Sequence, residues 1–223
     1  EWYLQNAQVL SDSLSLKEAL RAAGVAPNPW VDMSTVADIQ LSGPLKPLDL
    51  KGPFVLQGTD FRIGDRRVED PDVNNSLYLK AALAKGHLAL NKEHVVLTID
   101  EVEVGRTRGS GVVDIGFKPH GPLDISVNLG KANFADFGPL GGARLKGTGR
   151  LKGRIWGPFT SIQMLGHGSF NNFSSTGIDY ADKLTATIRS PDMKSIILER
   201  ARAIKGETHY GGTIGLYFKP TFS

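Results

Sequence analysis

Along much of this chain apolar and polar residues alternate one for one. In residues 144–155, RLKGTGRLKGRI, the even positions are Arg144, Lys146, Thr148, Arg150, Lys152 and Arg154. The odd positions are Leu145, Gly147, Gly149, Leu151, Gly153 and Ile155. A period of two predicts a strand, with a cationic rail of roughly 35 Å on one face and a small, apolar wall behind it. Similar alternation sets Leu97 with Ile99, Val113 with Ile115 and Phe117, and Leu123 with Ile125, Val127 and Leu129. Further on come Ile162 and Met164, Leu198, and Ile214 with Leu216 and Phe218. Gly and Pro punctuate these runs, so they predict half-buried antiparallel strands whose apolar residues share one inward face.

Two segments depart from the strand pattern. Ser15 and Glu18 form a capping box, Leu16, Ala19, Leu20 and Ala23 share a helical face, and Gly24 stops it before Pro27 and Pro29. A short helix is therefore expected over residues 15–23. Residues 190–206 fit a helix as well as a strand, with Ser190 as cap, Pro191 in the first turn and a stripe of Met193, Ile197, Ala201 and Ile204.

The chain also resembles itself. Residues 94–119, HVVLTIDEVEVGRTRGSGVVDIGFKP, lie over residues 195–220, SIILERARAIKGETHYGGTIGLYFKP, without a gap. Val113, Ile115 and Phe117 then fall on Ile214, Leu216 and Phe218, which keeps the inward face and favours strand for residues 195–205. The expected organisation is an end segment with the helix (1–33), a first β-unit (34–119), connecting strands (120–142) and a second β-unit (143–223). Arg200 and Arg202 stand where the first unit has Ile99 and Glu101, so the alternation is disturbed near residue 200.

Composition narrows the chemistry. Lys plus Arg is 26 and Asp plus Glu 23, a net charge of +3, too small and too dispersed for a dedicated nucleic-acid binder. Trp156, one step past the rail, is expected on its opposite face and so offers no stacking platform beside the cations. Cysteine is absent, which removes disulfides, thiolate nucleophiles and thiolate metal sites. His87, His94, His120, His167 and His209 show no ligand spacing, and GTGRLKG (147–153) departs from the dinucleotide fingerprint. The carboxylate pairs Asp100–Glu101 and Glu69–Asp70, and the acceptor-like Asn74 and Asn172, read as solvated strand-edge and turn residues. No enzyme activity, cofactor or metal is expected. The rail reads first as protection of an edge strand against pairing, and second as an attractor of phosphate headgroups. The chain opens without Met and is expected to be a piece of something longer.

Gly-Pro-Leu/Phe recurs at Gly43-Pro44-Leu45, Gly52-Pro53-Phe54, Gly121-Pro122-Leu123, Gly138-Pro139-Leu140 and Gly157-Pro158-Phe159. With the run LKGTGRLKGRIWGPFTSIQMLGHGSF and the Gly211-Gly212 pair, this pattern resembles the repeats of the TamB and AsmA-like proteins of Gram-negative envelopes, over most of residues 34–219. The resemblance implies an all-β fold: a long antiparallel sheet curled into an open trough with an apolar interior. It implies anchoring in the inner membrane by a segment outside this chain, a periplasmic location, and phospholipid acyl chains as cargo. For the TamB branch it also implies an outer-membrane β-barrel partner and a part in outer-membrane protein assembly.

Two functions follow from the apolar face, because a sheet must bury it on something. If the trough stays open, the face conducts phospholipid between the membranes. A chain of roughly fifteen methylenes gains on the order of 12 kcal/mol before ordering costs. If the face packs on itself, the chain is a structural β-sandwich or solenoid of the envelope with an interaction role.

Overall fold

The alternation becomes strand nearly everywhere. In the computed structural model, which describes residues 2–15, 18, 30–64, 75–117, 122–137, 144–158, 161–191 and 195–217, twelve strands form one sheet in chain order. They are β1 Tyr3–Ser15, β2 Trp30–Pro44, β3 Asp49–Gly64, β4 Asn75–Asn91, β5 His94–Val104 and β6 Thr107–Gly116. Then follow β7 Pro122–Asn133, β8 Leu145–Pro158, β9 Gln163–Ser175, β10 Ile178–Ser190, β11 Ser195–Lys205 and β12 Thr208–Tyr217. Every strand is antiparallel to its neighbours, and β1 and β12 are the two open edges. No second sheet is present among the described residues.

One open choice is settled and one expectation is overturned. Residues 195–205 are strand, paired on both sides, and the competing helical stripe is an accident of spacing. The helix expected at 15–23 falls almost wholly outside the described residues. There Ser15 ends β1, and the Glu18 N–H donates to its Oγ at 3.3 Å. Residues 122–133, within the expected connecting strands, form β7, paired with β6 and β8. Finally, β8 is no edge: β7 and β9 pair along both of its sides, so its cations protect nothing from pairing.

Some register features repeat six strands apart. Val9 faces Ile39 between β1 and β2, with a shift between Ser11 and Leu14; Val127 faces Gly153 between β7 and β8, with a shift between Leu129 and Ala132. The β2–β3 pair shifts between Asp32 and Ser34, and the β8–β9 pair between Lys146 and Thr148. The extra residues, Asp60 and Asn172, have φ of 53° and 52°. Asn172 is thus a bulge within β9, not a turn residue. The β5–β6 and β11–β12 hairpins close over Gly105 and Gly206, each at φ 56°. The correspondence is incomplete. The β1–β2 shift between Leu4 and Ala7 has no counterpart between β7 and β8. Likewise β5 shifts between Ile99 and Val102, but β11 shifts two residues earlier, between Leu198 and Ala201. Arg200 sits in that bulge at φ 51°, which is why Arg202 points outward while Ala201 and Ala203 are buried.

One buried polar node ties the middle of the sheet together. A single turn of 3-10 helix, Phe134–Asp136, follows β7. Asp136 Oδ2 accepts from the Arg106 N–H at 2.7 Å and from the Thr107 hydroxyl at 3.0 Å. The same hydroxyl accepts from the Asn133 N–H at 3.0 Å, and Thr107 is 2% exposed. The β5–β6 turn is thereby clamped onto the end of β7. Asp136→Ala removes an acceptor from the Thr107 hydroxyl and from the exposed Arg106 N–H, so it is expected to cost about 1 kcal/mol. Urea unfolding with an unchanged m-value checks this; a loss below about 0.5 kcal/mol would show that the clamp is idle.

Candidate functional site

Pairing partners in an antiparallel sheet share a face, so the registers assign each side chain to one side or the other. One line of partners runs from edge to edge: Val9, Ile39, Phe54, Gly86, Ile99, Gly111, Val127, Gly153, Gly166, Ile188, Leu198 and Ile214. All twelve strands contribute, and every member is aliphatic, aromatic or glycine. At strand spacing this lane is roughly 50 Å long. A second line beside it joins Leu88, Leu97, Val113, Ile125, Ile155 and Met164.

The expected inward residues therefore come together, with three exceptions. Leu97, Ile99, Val113, Ile115, Ile125, Val127, Met164 and Leu198 are half-buried on this common face, and Leu123 and Leu129 are buried there. Ile214, on the edge strand, is 45% exposed, and Leu216 holds the register position opposite Ile196. Phe117 comes after β6 ends and is 41% exposed. Ile162 is buried, but in the connection between β8 and β9. Phe218 lies outside the described residues.

Glycines keep the wall low where bulky neighbours lie down on it. A Cβ on Gly168 would fall 2.2 Å from two ring carbons of Phe170, and one on Gly149 would fall 2.8 Å from another. The Phe170 ring thus lies along the backbone of two strands. Phe134 covers it at 4.6 Å between ring centroids, and Phe173 lies 5.8 Å from Phe134. Phe170, Ala181, Leu184, Ala186, Ala201 and Ala203 form a buried cluster at this end of the sheet. Beside it opens an apolar cavity of about 280 Å³, lined by Phe173, Leu184, Leu198, Ala203, Tyr210 and Ile214 among others.

The opposite face is polar. Lys146, Arg150, Lys152 and Arg154 project from β8 as expected and are exposed, and Arg144 precedes the strand. Trp156 belongs to the same face, not the other. It is two residues from Arg154, it pairs with Asp124 and Gln163, and the Arg154 guanidinium lies 5.6 Å from its ring. Asp124 receives Arg154 through both carboxylate oxygens, with Nε to Oδ1 at 2.7 Å. Those hydrogen bonds hold its carboxyl below the usual range. The small stability this adds is present above about pH 4 and fades as pH falls through the lowered value.

The histidines are scattered. His87 contacts Asp100 at 3.1 Å, His94 contacts Asp114 at 3.3 Å and His167 contacts the Thr187 hydroxyl at 3.1 Å. His120 lies outside the described residues, as do Glu69, Asp70 and Asn74. Among the described residues no group of three or more His, Asp or Glu is placed to hold a metal ion. Asp100 sits in the β5 bulge beside His87, and Glu101 stands 3.9 Å from Lys85. The alternation pattern could not reveal a second cavity, on this outer face, where polar and charged groups stand among apolar ones. It is built by Ser169, Asn171, Lys183, Thr185, Arg202 and His209 from four strands. No family model, no curated protein and no solved structure matches the chain.

Proposed function

We propose that this chain is a segment of an envelope-spanning protein whose apolar β-face binds phospholipid acyl chains and conducts them between the inner and outer membranes. The observation that carries the reading is the uninterrupted apolar lane across all twelve strands, free of polar residues, exposed at its two ends and half-buried to buried between them. A conduit needs such a wall, because a featureless surface gives an acyl chain no deep minimum in which to stop. The lane runs at right angles to the strands, so transport along it passes from β1 toward β12 or back.

Further features support the reading. Every strand pairing carries a register shift, and bulges increase local bend and twist. We take these shifts as the device that curls the sheet into a trough around its apolar face. From the register features that repeat six strands apart, we read β1–β6 and β7–β12 as two copies of one trough unit. The likeness of the glycine pattern to TamB and AsmA-like repeats supports a periplasmic location for the chain. It would be anchored to the inner membrane from outside this segment and would have an outer-membrane β-barrel as partner.

The test is the lipid content of the chain purified without detergent from a Gram-negative host. Native mass spectrometry is expected to show adducts of phospholipid mass, and organic extraction to recover the same species. A chain recovered free of lipid that also takes up no fluorescent phospholipid from vesicles would sink the proposal.

A further inference from the structure

We infer that the outer face of β9–β12 carries a binding site for an organic phosphate, such as a phosphorylated polyol. The site is separate from the apolar wall and does not depend on lipid conduction. Two adjacent rows of register partners build it. Asn171, Lys183, Ile204 and His209 form one, and Ser169, Thr185, Arg202 and Gly211 form the other. The rows enclose a cavity of about 530 Å³, within the ordinary range for small-molecule sites. Gly211 makes the hollow. It faces Arg202 from the edge strand without a side chain, and a Cβ there would fall 2.8 Å from the Ala201 carbonyl oxygen.

The donor set fits a tetrahedral oxyanion. Arg202 offers a planar fork, Lys183 a point charge, Ser169 and Thr185 hydroxyls, Asn171 an amide and His209 a ring N–H. Several cations elsewhere on this face are matched: Lys51 with Asp49, Lys85 with Glu101, Arg154 with Asp124 and Arg189 with Glu199. Arg150, the register partner of Ser169, has no ion pair among the described residues and adds a further positive charge beside the site. Among the described residues Lys183, Arg202 and His209 enter no ion pair and no side-chain hydrogen bond. Asp182, the carboxylate next to Lys183 in sequence, is already taken by the Gly206 N–H at 2.7 Å and by Lys205 at 3.5 Å. An arriving anion thus meets two free cations with nothing to displace. The cavity exceeds what a bare phosphate fills, and its hydroxyl and amide groups suit the polyol that the phosphate carries.

The ligand could be a free phosphate ester or the headgroup of a lipid, and the experiment separates them. Glycerol phosphate is titrated into the 15N-labelled chain while the amides of Thr185, Arg202 and Gly211 are followed. Saturable shifts confined to these strands are expected, and Lys183→Gln with Arg202→Gln should weaken binding at least tenfold. Lys51→Gln with Lys85→Gln removes the same charge from β3 and β4 and should leave binding unchanged. Phosphatidylglycerol vesicles then assign the source. Vesicle binding that glycerol phosphate competes away identifies a lipid headgroup, and absence of vesicle binding identifies a soluble ester. The inference fails if no saturable shift occurs, if both double variants weaken binding equally, or if vesicles bind without competition.

Discussion

Replacing Ile115 by arginine is expected to leave thermal unfolding near that of the parent while abolishing co-purified lipid. Ile115 faces Val95 on one side and Leu123 on the other and is only half-buried. An arginine there can lay its aliphatic stem along the wall and lift the guanidinium into the open side, so the sheet tolerates it. An acyl chain cannot pass a charge standing in its lane without desolvating it. Leu184→Arg supplies the contrast. Leu184 is 4% exposed and enclosed by Phe170, Ala186 and Ala203, so its replacement buries an unpaired cation and should unfold β9–β12. Calorimetry and lipid extraction on the two variants distinguish the readings. If Ile115→Arg melts as early as Leu184→Arg, the face is a closed core throughout and the chain is a self-packed envelope module. A folded Ile115→Arg that still retains lipid removes the conduit from this row.

Much of this architecture was legible in the sequence, and the losses have physical causes. A period of two identified the strands, and strict alternation in residues 145–155 carried straight into β8. Register was not legible. Alternation says that Val127 points inward but not that it faces Gly153, so the edge-to-edge lane could not be drawn from the sequence. Bulges broke the parity argument at Arg200, because one extra residue in left-handed conformation swaps faces for everything after it. The position of β8 was misjudged for a related reason. Cations on an outward face look alike on an edge strand and an interior one, and only the pairing tells them apart. The anion cavity escaped because its members are spread from Ser169 to Gly211 and meet only through pairing. Trp156 was assigned to the wrong face although its even number already placed it beside Arg154.

The thin wall at Gly149 and Gly168 leads to the other large expected effect. Phe170 is 3% exposed, its ring pressed on two glycines below and met by Phe134 above. Phe170→Ala removes the centre of that stack, and with two glycines beneath, little can collapse into the space. The expected loss is about 3–5 kcal/mol. Gly168→Ala attacks the same contact from the other side. Its Cβ would stand 2.2 Å from the ring, so the ring must lift off the backbone, at about 1–3 kcal/mol. The two effects have one cause and should not add. In the Gly168→Ala background, Phe170→Leu is expected to cost less than it does alone, because the smaller side chain vacates the site that the new methyl needs. A double-mutant cycle in urea, with a coupling above about 0.5 kcal/mol, is the predicted outcome. Additivity would mean that the ring does not rest on Gly168, and that the inner wall is smooth there for some reason other than its glycines.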